Sequence, residues 1–380
     1  MSPQITELKN CFGCGVCAKA CPKKIIDIRL DKDGFYRPYI NELESCIGCH
    51  LCDEVCAFLN PDTSFPSPEG SYALWSSDDN TRMKCSSGGA SLEIARHLIS
   101  KGYKFCGVKY NVQKDRAEHF IASTPDEAES SCGSKYIQSY TPDALNAIDI
   151  KQKYLVTGTP CQIASFRKYI RRLRCEDNFI LMDFYCHSVP SMLCWKYYLN
   201  SIKKKYGKVE SVTWRDKENG WHDSWRICVN YDKQDNPNSR TKLYCSSYSQ
   251  GDLFYRLFLG DFCSNKSCEK SCIYKYNSSK ADIRIGDLWG ETFRNDEKGV
   301  SGVIAFTSKG ESIIKELNNC IITPLPVKTV AEGQMKSNIR PAEMRGVLLK
   351  YLKTKHPNSI VIESIIFTQR VLNRIKRIFK

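Results

Sequence analysis

The stretch that decides the fold is Cys11-Phe-Gly-Cys14-Gly-Val-Cys17-Ala-Lys-Ala-Cys21-Pro22, and its spacing recurs at Cys46-Ile-Gly-Cys49-His-Leu-Cys52-Asp-Glu-Val-Cys56. A 4Fe-4S cubane needs four thiolates that converge on a small volume. Two-residue gaps let one tight loop supply three of them, and the fourth comes from the other run. The residue after each run differs, Pro22 in the first and Ala57 in the second, which affects only the turn after the last cysteine.

The crossed pattern assigns one cluster to Cys11, Cys14, Cys17 and Cys56, and a second cluster to Cys46, Cys49, Cys52 and Cys21. Gly13, Gly15 and Gly48 suit loops that wrap closely around inorganic sulfur. Zinc sites use two well-separated pairs of cysteines rather than two even runs of four. Residues 1–62 are therefore predicted to form an α+β ferredoxin-like domain with two 4Fe-4S clusters.

Composition limits the other classes of protein. The chain has 380 residues, 21 cysteines and a net charge of +14. Residues 1–60 carry seven Lys/Arg and eight Asp/Glu, whereas residues 336–380 carry eleven and two, so the basic excess lies in the C-terminal part. Basic residues are not interleaved with aromatics on a defined module, which argues against nucleic-acid binding. Neither an apolar run of about 18 residues nor a secretory leader is seen, and we predict a cytoplasmic protein.

The rest of the chain divides by pattern. A Pro/Ser-rich linker is predicted at 63–71, an α/β domain with a partly parallel sheet at 72–330, and a basic helical extension at 331–380. Strands are predicted at Lys104–Tyr110, Tyr154–Thr157 and Phe179–Tyr185, and helices at Ala90–Ser100, Gln162–Arg174 and Ser191–Tyr206.

Two cysteines follow predicted strands directly. Cys161 lies just after Tyr154–Thr157, and Cys186 lies just after Phe179–Tyr185, with a helix between the strands. A right-handed crossover makes such strands parallel. Both thiols then emerge at the carboxyl edge of the sheet, where open α/β sheets bind ligands.

Six motifs together resemble the coenzyme F420 hydrogenase/dehydrogenase beta-subunit family from residue 1 to about 320. They are Ser86-Ser-Gly-Gly-Ala90, Gly133-Ser-Lys-Tyr136, Gly158-Thr-Pro-Cys-Gln162, Phe184-Tyr-Cys-His187, Trp214-Arg-Asp-Lys217 with Gly220-Trp221, and Ala281-Asp-Ile-Arg-Ile-Gly-Asp-Leu-Trp-Gly290. Members of that family bind FAD and at least one 4Fe-4S cluster in this domain. The resemblance therefore implies FAD and a third 4Fe-4S cluster here.

The resemblance also implies which residues hold these cofactors. The expected FAD-binding residues are Ser86, Ser87, Gly88, Gly89, Gly133, Ser134, Lys135, Tyr136, Gly158 and Thr159, with Lys135 neutralising the pyrophosphate. Small residues that enter a helix also suit a phosphate without any family argument. The expected ligands of the third cluster are Cys161, Cys186, Cys268 and Cys272. Since Cys268 and Cys272 are separated by three residues where the family has two, Cys263 is an alternative ligand.

The remaining cysteines are predicted to be packing residues: Cys85, Cys106, Cys132, Cys175, Cys194, Cys228, Cys245 and Cys320. His187 and His222 are candidates for proton handling near the flavin, with a structural role as the alternative. Asp287 either orders a turn or contacts the cofactor.

The C-terminal residues 360–380 have an amphipathic helical pattern. Val371, Leu372, Ile375, Ile378 and Phe379 share one face, and Arg370, Arg374, Arg377 and Lys380 the other. Such a helix suits an anionic membrane surface or docking onto the body of the protein or a partner, and we expect docking.

The predicted function is that of an iron–sulfur flavoprotein oxidoreductase. It passes electrons between ferredoxin-type clusters and FAD to reduce or oxidise an organic substrate or a deazaflavin coenzyme. The expected donor is a ferredoxin or reduced coenzyme F420. Resemblance to proteins of surface-polysaccharide gene clusters adds a sugar-linked substrate as an expectation. The alternative is a non-catalytic electron-relay beta subunit of a larger hydrogenase or dehydrogenase complex.

Overall fold

The N-terminal domain is built from short elements around the cysteine runs. The computed structural model describes residues 3–8, 11–232 and 242–378. The domain contains α1 (Val16–Ala20), β1 (Ile26–Leu30), β2 (Tyr36–Ile40) and α2 (Leu51–Glu54), with 3-10 turns at Gln4–Glu7 and Leu43–Ser45. β1 and β2 pair antiparallel, from Ile26 opposite Ile40 to Leu30 opposite Tyr36. Their inward side chains form a small core that includes Ile26 and Ile28.

A large mixed sheet of nine strands organises the second domain. Its order is β14-β3-β13-β12-β8-β7-β4-β5-β6. In chain order these strands are β3 (Gly70–Ser76), β4 (Lys104–Asn111), β5 (Arg116–Ala122), β6 (Ser139–Tyr140), β7 (Tyr154–Gly158), β8 (Phe179–Phe184), β12 (Ile283–Asp287), β13 (Ser301–Ala305) and β14 (Cys320–Pro324). The pairs β4–β7, β7–β8, β8–β12 and β5–β6 are parallel, and the others are antiparallel.

Among the parallel strands, β7 and β8 are mostly buried, which explains their largely apolar sequences. β7 and β8 are adjacent and parallel, as the crossover argument predicted. The helix between them is α7 (Pro160–Arg172), which begins with Pro160 and a capping box of Thr159 with Gln162. Proline at the first position and a reciprocal cap both favour a helix start at this point. The fold is thus a mixed α+β architecture with a partly parallel sheet, in agreement with the coarse prediction.

The other helices cover the sheet or extend the domain. They are α3 (Asp79–Lys84), α4 (Ala90–Ser100), α5 (Pro125–Ala128), α6 (Pro142–Ala147), α8 (Met192–Tyr206), α9 (Leu253–Leu259), α10 (Lys266–Lys270), α11 (Ser308–Lys315), α12 (Val327–Val330), α13 (Arg345–Leu352) and α14 (Ser359–Ile378). None of the helices within the described ranges is both long enough and apolar enough to span a bilayer.

A smaller antiparallel sheet contains β9 (Lys208–Thr213), β10 (Arg226–Asp232) and β11 (Lys242–Ser247), in the order β11-β10-β9. Its register places Cys228 directly opposite Cys245, with their Cα atoms 4.2 Å apart, and the two form a disulfide. The sequence prediction of two packing thiols is therefore wrong at this pair. The cause is the strand pairing, since opposite positions of an antiparallel pair bring Cβ atoms within disulfide range.

The C-terminal extension packs at the junction of the two domains. Buried residues of α13 and α14, among them Leu348, Ile362 and Ile366, share one core with Phe35 of the N-terminal domain. Lys353 also pairs with Asp33 at 2.8 Å. α14 contacts the body through its first half, whereas Ile375 and Ile378 of the predicted apolar face are 45% and 77% exposed. Phe379 and Lys380 of the predicted faces lie outside the described residues.

Candidate redox site

The crossed cysteine pattern brings two groups of four thiols together in the N-terminal domain. We call Cys11, Cys14, Cys17 and Cys56 the inner quartet, and Cys21, Cys46, Cys49 and Cys52 the outer quartet. The inner quartet surrounds one small cavity, together with apolar residues such as Ile5 and Ile28. The outer quartet surrounds another, with Pro22 and Ile26. Each group combines three cysteines of one run with the last cysteine of the other.

Burial makes these thiols poor ligands for anything but a strongly positive group. Burial and, to a smaller extent, the nearby Cys56 thiol raise the pKa of Cys14 to about 12. Burial likewise raises the pKa of Cys52 to about 12 and that of Cys17 well above its usual value. Iron binds the thiolate form and supplies the positive charge that burial otherwise denies. The donor sets therefore fit iron–sulfur clusters.

A single zinc ion and a cubane cluster require different spacings of their thiolates. Within residues 3–8, 11–232 and 242–378, no three His, Cys, Asp or Glu side chains are grouped as ligands of one metal ion. Four thiolates on one zinc ion would lie about 3.8 Å apart, as follows from tetrahedral bonds of about 2.3 Å. In a cubane each thiolate binds a different iron, so its four ligands stand further apart.

Side chains of the large domain hold the loop of the inner quartet. The carbonyl oxygen of Cys11 accepts hydrogen bonds from Asn265 Nδ2 at 3.2 Å and Ser267 Oγ at 3.0 Å. The carbonyl oxygen of Cys14 accepts one from Thr141 Oγ1 at 2.9 Å. Gly15 has a φ of +74° and would bring any Cβ into collision with Thr141 Oγ1, so glycine is required there. The inner quartet is thus seated against the second domain.

A third group of cysteines lies at the carboxyl edge of the parallel strands. We call Cys161, Cys186, Cys268 and Cys272 the third quartet. Cys161 lies in the first turn of α7 after β7, Cys186 follows β8, and the other two lie in and after α10. Burial and, to a smaller extent, its neighbours Cys268 and Cys272 raise the pKa of Cys186 to about 12. The pKa of Cys161 is raised by burial and by its neighbours Cys186, Cys268 and Cys272.

Cys263, the alternative ligand in the sequence analysis, lies elsewhere. Its thiol is fully buried in the core formed with the C-terminal extension and donates to the carbonyl oxygen of Leu257 at 3.8 Å. Its thiol neighbour is Cys194. The structure therefore groups Cys268 and Cys272, rather than Cys263, with the two strand-end cysteines. The helical turn of α10 absorbs the extra residue between them.

Aromatic side chains connect the inner quartet with the third quartet. The rings of Phe12 and Tyr274 lie 6.3 Å apart, edge to face. These two residues pack in one cluster with Cys161 and Cys272. Burial raises the pKa of Tyr274, and thiols of both quartets, including Cys161 and Cys14, raise it further. Tyr274 thus stands between the two groups of cysteines.

A cavity of 430 Å³ lies beside the third quartet. Its wall includes the ends of three parallel strands, at Gly158, Phe184 and Asp287, and Cys186 belongs to both the wall and the quartet. Its volume is within the range of about 300–1,000 Å³ that cofactor pockets occupy. Among the expected FAD-binding residues, all but Gly88 line this cavity: Ser86, Ser87, Gly89, Gly133, Ser134, Lys135, Tyr136, Gly158 and Thr159.

Gly88 instead lies behind the wall. A Cβ on Gly88 would collide with the carbonyl oxygen of Leu74 in β3, so its lack of a side chain serves packing against the sheet. Gly89 begins α4 with a φ of +93°, and no side chain caps this helix. The first turn of α4 lines the cavity. An uncapped helix start has free N–H groups and a partial positive charge, which suit a phosphate.

Two contacts fix the loop that carries these residues. Ser86 Oγ accepts a hydrogen bond from the Ser134 amide at 2.7 Å, which ties the two glycine-containing loops together. Lys217 donates to the carbonyl oxygens of Arg82, Ser87 and Lys298 at 2.5 to 2.8 Å. Burial lowers the pKa of Lys217 to about 8. Lys217 lies in a motif that the sequence analysis quoted, but its role in holding the loop was not predicted.

Lys135 is less free than the sequence analysis expected. Its ammonium donates to the carbonyl oxygens of Ser131 and Cys132 at 2.7 and 2.9 Å. Burial lowers the pKa of Lys135 to about 8. The side chain lies on the cavity wall and fixes the preceding turn. Its remaining N–H donor is the one available to an anion in the cavity.

Arg215, which the sequence analysis did not single out, binds two residues of the cavity wall, Tyr136 and Asp287. Arg215 has no solvent-exposed side-chain surface and pairs with Asp287 at 3.0 Å. It also donates to Tyr136 Oη at 3.1 Å, while Asp287 accepts from Trp221 Nε1 at 3.0 Å. The Tyr136 ring stacks on Trp225 at 4.9 Å. Asp287 of the cavity wall therefore positions Arg215 and Trp221. The motif that contains Arg215 could have indicated its role in this site.

The two candidate histidines differ in position. His187 lines the cavity, and its Nε2 lies 2.9 Å from Asp261 Oδ1. Lys275 holds its carbonyl oxygen and that of Cys186, each at 2.7 Å. His222 is exposed and packs beside Trp221, 4.9 Å between ring centroids, away from the cavity wall. Of the two, His187 is the one placed to meet a bound molecule.

Comparisons with known proteins agree with this geometry. Residues 10–59 match the 4Fe-4S dicluster domain, and residues 151–324 match the C-terminal region of the beta subunit in the coenzyme F420 hydrogenase/dehydrogenase family. The chain thus joins a region similar to a dicluster ferredoxin domain to a region similar to the beta subunit of that family. The resemblance inferred from the motifs is thus confirmed. This chain is therefore an iron–sulfur protein of the electron-transferring, oxidoreductase type that is related to that beta subunit.

Solved structures and curated proteins add little beyond the family. A chain of the F420-reducing [NiFe] hydrogenase complex from Methanosarcina barkeri is similar with a TM-score of 0.46 and 15% identity, over 83% of this chain and 94% of that one. No curated protein matches the chain.

Proposed function

We propose that this chain is an iron–sulfur flavoprotein oxidoreductase with FAD in the 430 Å³ cavity and a third 4Fe-4S cluster on the third quartet. One observation carries the proposal: Cys186 belongs to the third quartet and also to the wall of the cavity. A cluster held there would adjoin whatever the cavity binds. Clusters pass single electrons, whereas a flavin exchanges electrons singly or in pairs, so the pair converts one mode into the other.

The arrangement of the quartets gives the path. The outer quartet includes the exposed Cys49, the inner quartet is seated on the large domain, and Phe12 and Tyr274 lie between the inner and third quartets. We propose that the electron donor, a ferredoxin or reduced coenzyme F420, docks near the outer quartet or at the cavity. Electrons then move along the three quartets to or from the cavity.

The residues of the cavity have distinct tasks in this proposal. The uncapped start of α4 and Lys135 would hold the phosphates of FAD. Lys217 and Ser86 keep the binding loops in place. Arg215 holds Tyr136 of the cavity wall, and the buried Trp221 donates to Asp287 of the same wall. His187, paired with Asp261, would hold or release a proton at Nδ1 or Nε2 beside the substrate.

Anaerobic purification followed by assay of iron, sulfide and flavin tests the proposal. We expect about twelve irons and one FAD per chain, from three four-iron clusters. The variant Cys186→Ser should lose about four irons. Its matched control is Cys263→Ser, a buried cysteine outside the quartets, which should keep them all. About eight irons in the wild-type protein, or a flavin-free protein that does not bind added FAD, would contradict the proposal.

The same preparation separates an enzyme from a relay subunit. An enzyme should convert a candidate substrate, such as oxidised coenzyme F420, when the chain alone receives a strong reductant. A relay subunit should show reduction of the flavin without product. A sugar-linked substrate stays a prediction from the resemblance.

A further inference from the structure

Two cysteines predicted to be packing residues lie together on the wall of the large cavity. Cys85 precedes the Ser86–Gly89 loop, and Cys132 precedes Gly133. Their sulfur atoms are 3.9 Å apart, although 47 residues separate them in the chain. Both belong to the cavity wall. A modest movement of either side chain brings the sulfurs within bonding distance.

The surroundings shift the pKa values of the two thiols in opposite directions. The pKa of Cys132 falls to about 7, because the Cys85 thiol donates to it and the Lys135 and Lys84 ammonium groups lie near, against the opposing charge of Glu129. The pKa of Cys85 is raised by the same hydrogen bond and by burial, although Lys217 and Arg96 oppose this. Thiol–disulfide exchange needs such a division, with one thiolate and one protonated partner.

A second pair of neighbouring thiols in the chain lacks these features. Cys194 and Cys263 interact, but both are completely buried in the core with the C-terminal extension, outside the cavity. Neither has a path to a molecule in solution. What distinguishes Cys85 and Cys132 from this second pair is therefore their access from the cavity, not the proximity of their thiols.

We propose that Cys85 and Cys132 form a redox-active dithiol that closes to a disulfide and reopens at the cavity wall. On closing, two S–H bonds break, one S–S bond forms, and two electrons and two protons leave the pair. The acceptor is an oxidant that enters the cavity and takes an electron pair, either a small disulfide or an oxidised flavin. A small disulfide is reduced to two thiols, whereas a flavin held there would accept both electrons and both protons. Reopening is the reverse reaction, in which two small thiols or the reduced flavin would return two electrons and two protons to the pair. Neither route requires the iron–sulfur clusters, so the inference stands independently of the proposed third cluster.

Redox titration of the intact anaerobic protein tests this pair. The protein is equilibrated with mixtures of reduced and oxidised dithiothreitol, quenched with N-ethylmaleimide, digested and analysed by mass spectrometry. We expect a peptide that links Cys85 to Cys132, reversibly and in proportion to the oxidised fraction. Cys175→Ser, which removes a half-buried thiol in another core cluster, should leave this peptide unchanged. Cys85→Ser and Cys132→Ser should abolish it.

A second arm identifies the oxidant. The dithiol form is mixed with FAD alone, without any disulfide, and the absorbance of oxidised flavin is followed. Loss of one oxidised flavin for each linked peptide identifies the flavin as an acceptor. Linkage in the dithiothreitol arm alone identifies small disulfides. Absence of the linked peptide at every dithiothreitol ratio, with both cysteines recovered as maleimide adducts, overturns the proposal.

The pH dependence of alkylation provides a separate readout. Cys132 should react with iodoacetamide with a midpoint near its pKa of about 7. In Cys85→Ala the donated hydrogen bond is absent, and the midpoint should move to higher pH even though Lys84, Lys135 and Glu129 remain. An unchanged midpoint would show that the two thiols do not act as a pair.

Discussion

The inner and outer quartets share one sequence pattern but have different surroundings. The cavity of the outer quartet is lined only by residues 3–52 of its own domain, and Cys49 is exposed. The cavity of the inner quartet includes Ser165 of the large domain, and Ser165 Oγ also accepts from the Ala57 amide at 3.1 Å. Of the two copies of the cysteine motif, one therefore lies toward solvent and the other toward the protein interior. The proposed function uses this contrast: electrons would be exchanged with a partner at the outer quartet and passed inward at the inner quartet.

The largest effects are expected when the cluster of either the inner or the outer quartet is removed. Cys14→Ser and Cys49→Ser should each lose about four irons. The inner variant should also lose reduction of the flavin by an external protein donor, because the middle station is missing. The outer variant should still pass electrons from a small reductant such as dithionite. Stopped-flow spectra of both variants measure this, and unaltered flavin reduction by a protein donor in the inner variant would contradict the proposed order.

Acid should affect the large domain through His119. Burial lowers the pKa of this histidine to about 4, and its Nε2 donates to the Thr157 carbonyl oxygen at 3.0 Å. Below pH 6.5 the unfolded chain binds a proton that the folded state does not bind until about pH 4. Stability therefore falls as the pH falls through this window, by roughly 3 kcal/mol.

His119→Gln, which keeps an N–H donor, should flatten this dependence. All six tryptophans lie between residues 75 and 289, so their fluorescence reports unfolding of the large domain alone. Urea titrations at pH 6.5, 5.5 and 4.5 provide the measurement. The prediction fails when the variant and the wild-type protein lose stability equally toward low pH.

The seat of the inner quartet should depend on single hydrogen bonds from the large domain. Thr141→Val retains the shape of the side chain but leaves the Cys14 carbonyl oxygen unpaired, which should cost about 1–3 kcal/mol. Thermal unfolding and the rate of iron release to a chelator measure the effect. Ser45→Ala removes an exposed contact with Glu42 near the outer quartet and should change stability by less than about 0.5 kcal/mol. Similar losses of stability in both variants would show that contacts with the large domain do not distinguish the inner quartet from the outer quartet.

The smallest effect is expected at the surface of the outer quartet. Ile47 is 60% exposed and borders its cavity. Ile47→Asp should slow reduction by a protein donor about two- to fivefold, since a new charge disturbs docking more than stability. Reduction by dithionite should not change. If the protein donor reacts at an unaltered rate, the partner docks elsewhere.

Local patterns predicted much of this molecule because they reflect local physics. The helix predicted at Ala90–Ser100 is α4 with the same bounds, and β7 and β8 lie side by side in parallel, as the crossover through the helix between them predicted. The cysteine spacing was informative for the same reason, since a short loop sets which thiols can converge.

Contacts between distant segments were not predictable in this way. Cys85 meets Cys132, Lys217 reaches the carbonyl oxygen of Ser87, and Arg215 pairs with Asp287 across 47 to 130 residues of sequence. Each depends on how layers pack around the sheet, and composition does not encode that packing locally. The disulfide between Cys228 and Cys245 was missed because strand register, not residue type, determines it.

The core shared by Phe35 and the C-terminal extension has a consequence for biosynthesis. Phe35 is 2% exposed and is covered by Leu348, Ile362 and their neighbours, more than 300 residues later in the chain. Translation therefore presents the N-terminal domain long before its final cover exists. Until residues near 366 leave the ribosome, the apolar surface around Phe35 lacks this cover, so the N-terminal domain reaches its final packing only after those residues have been made.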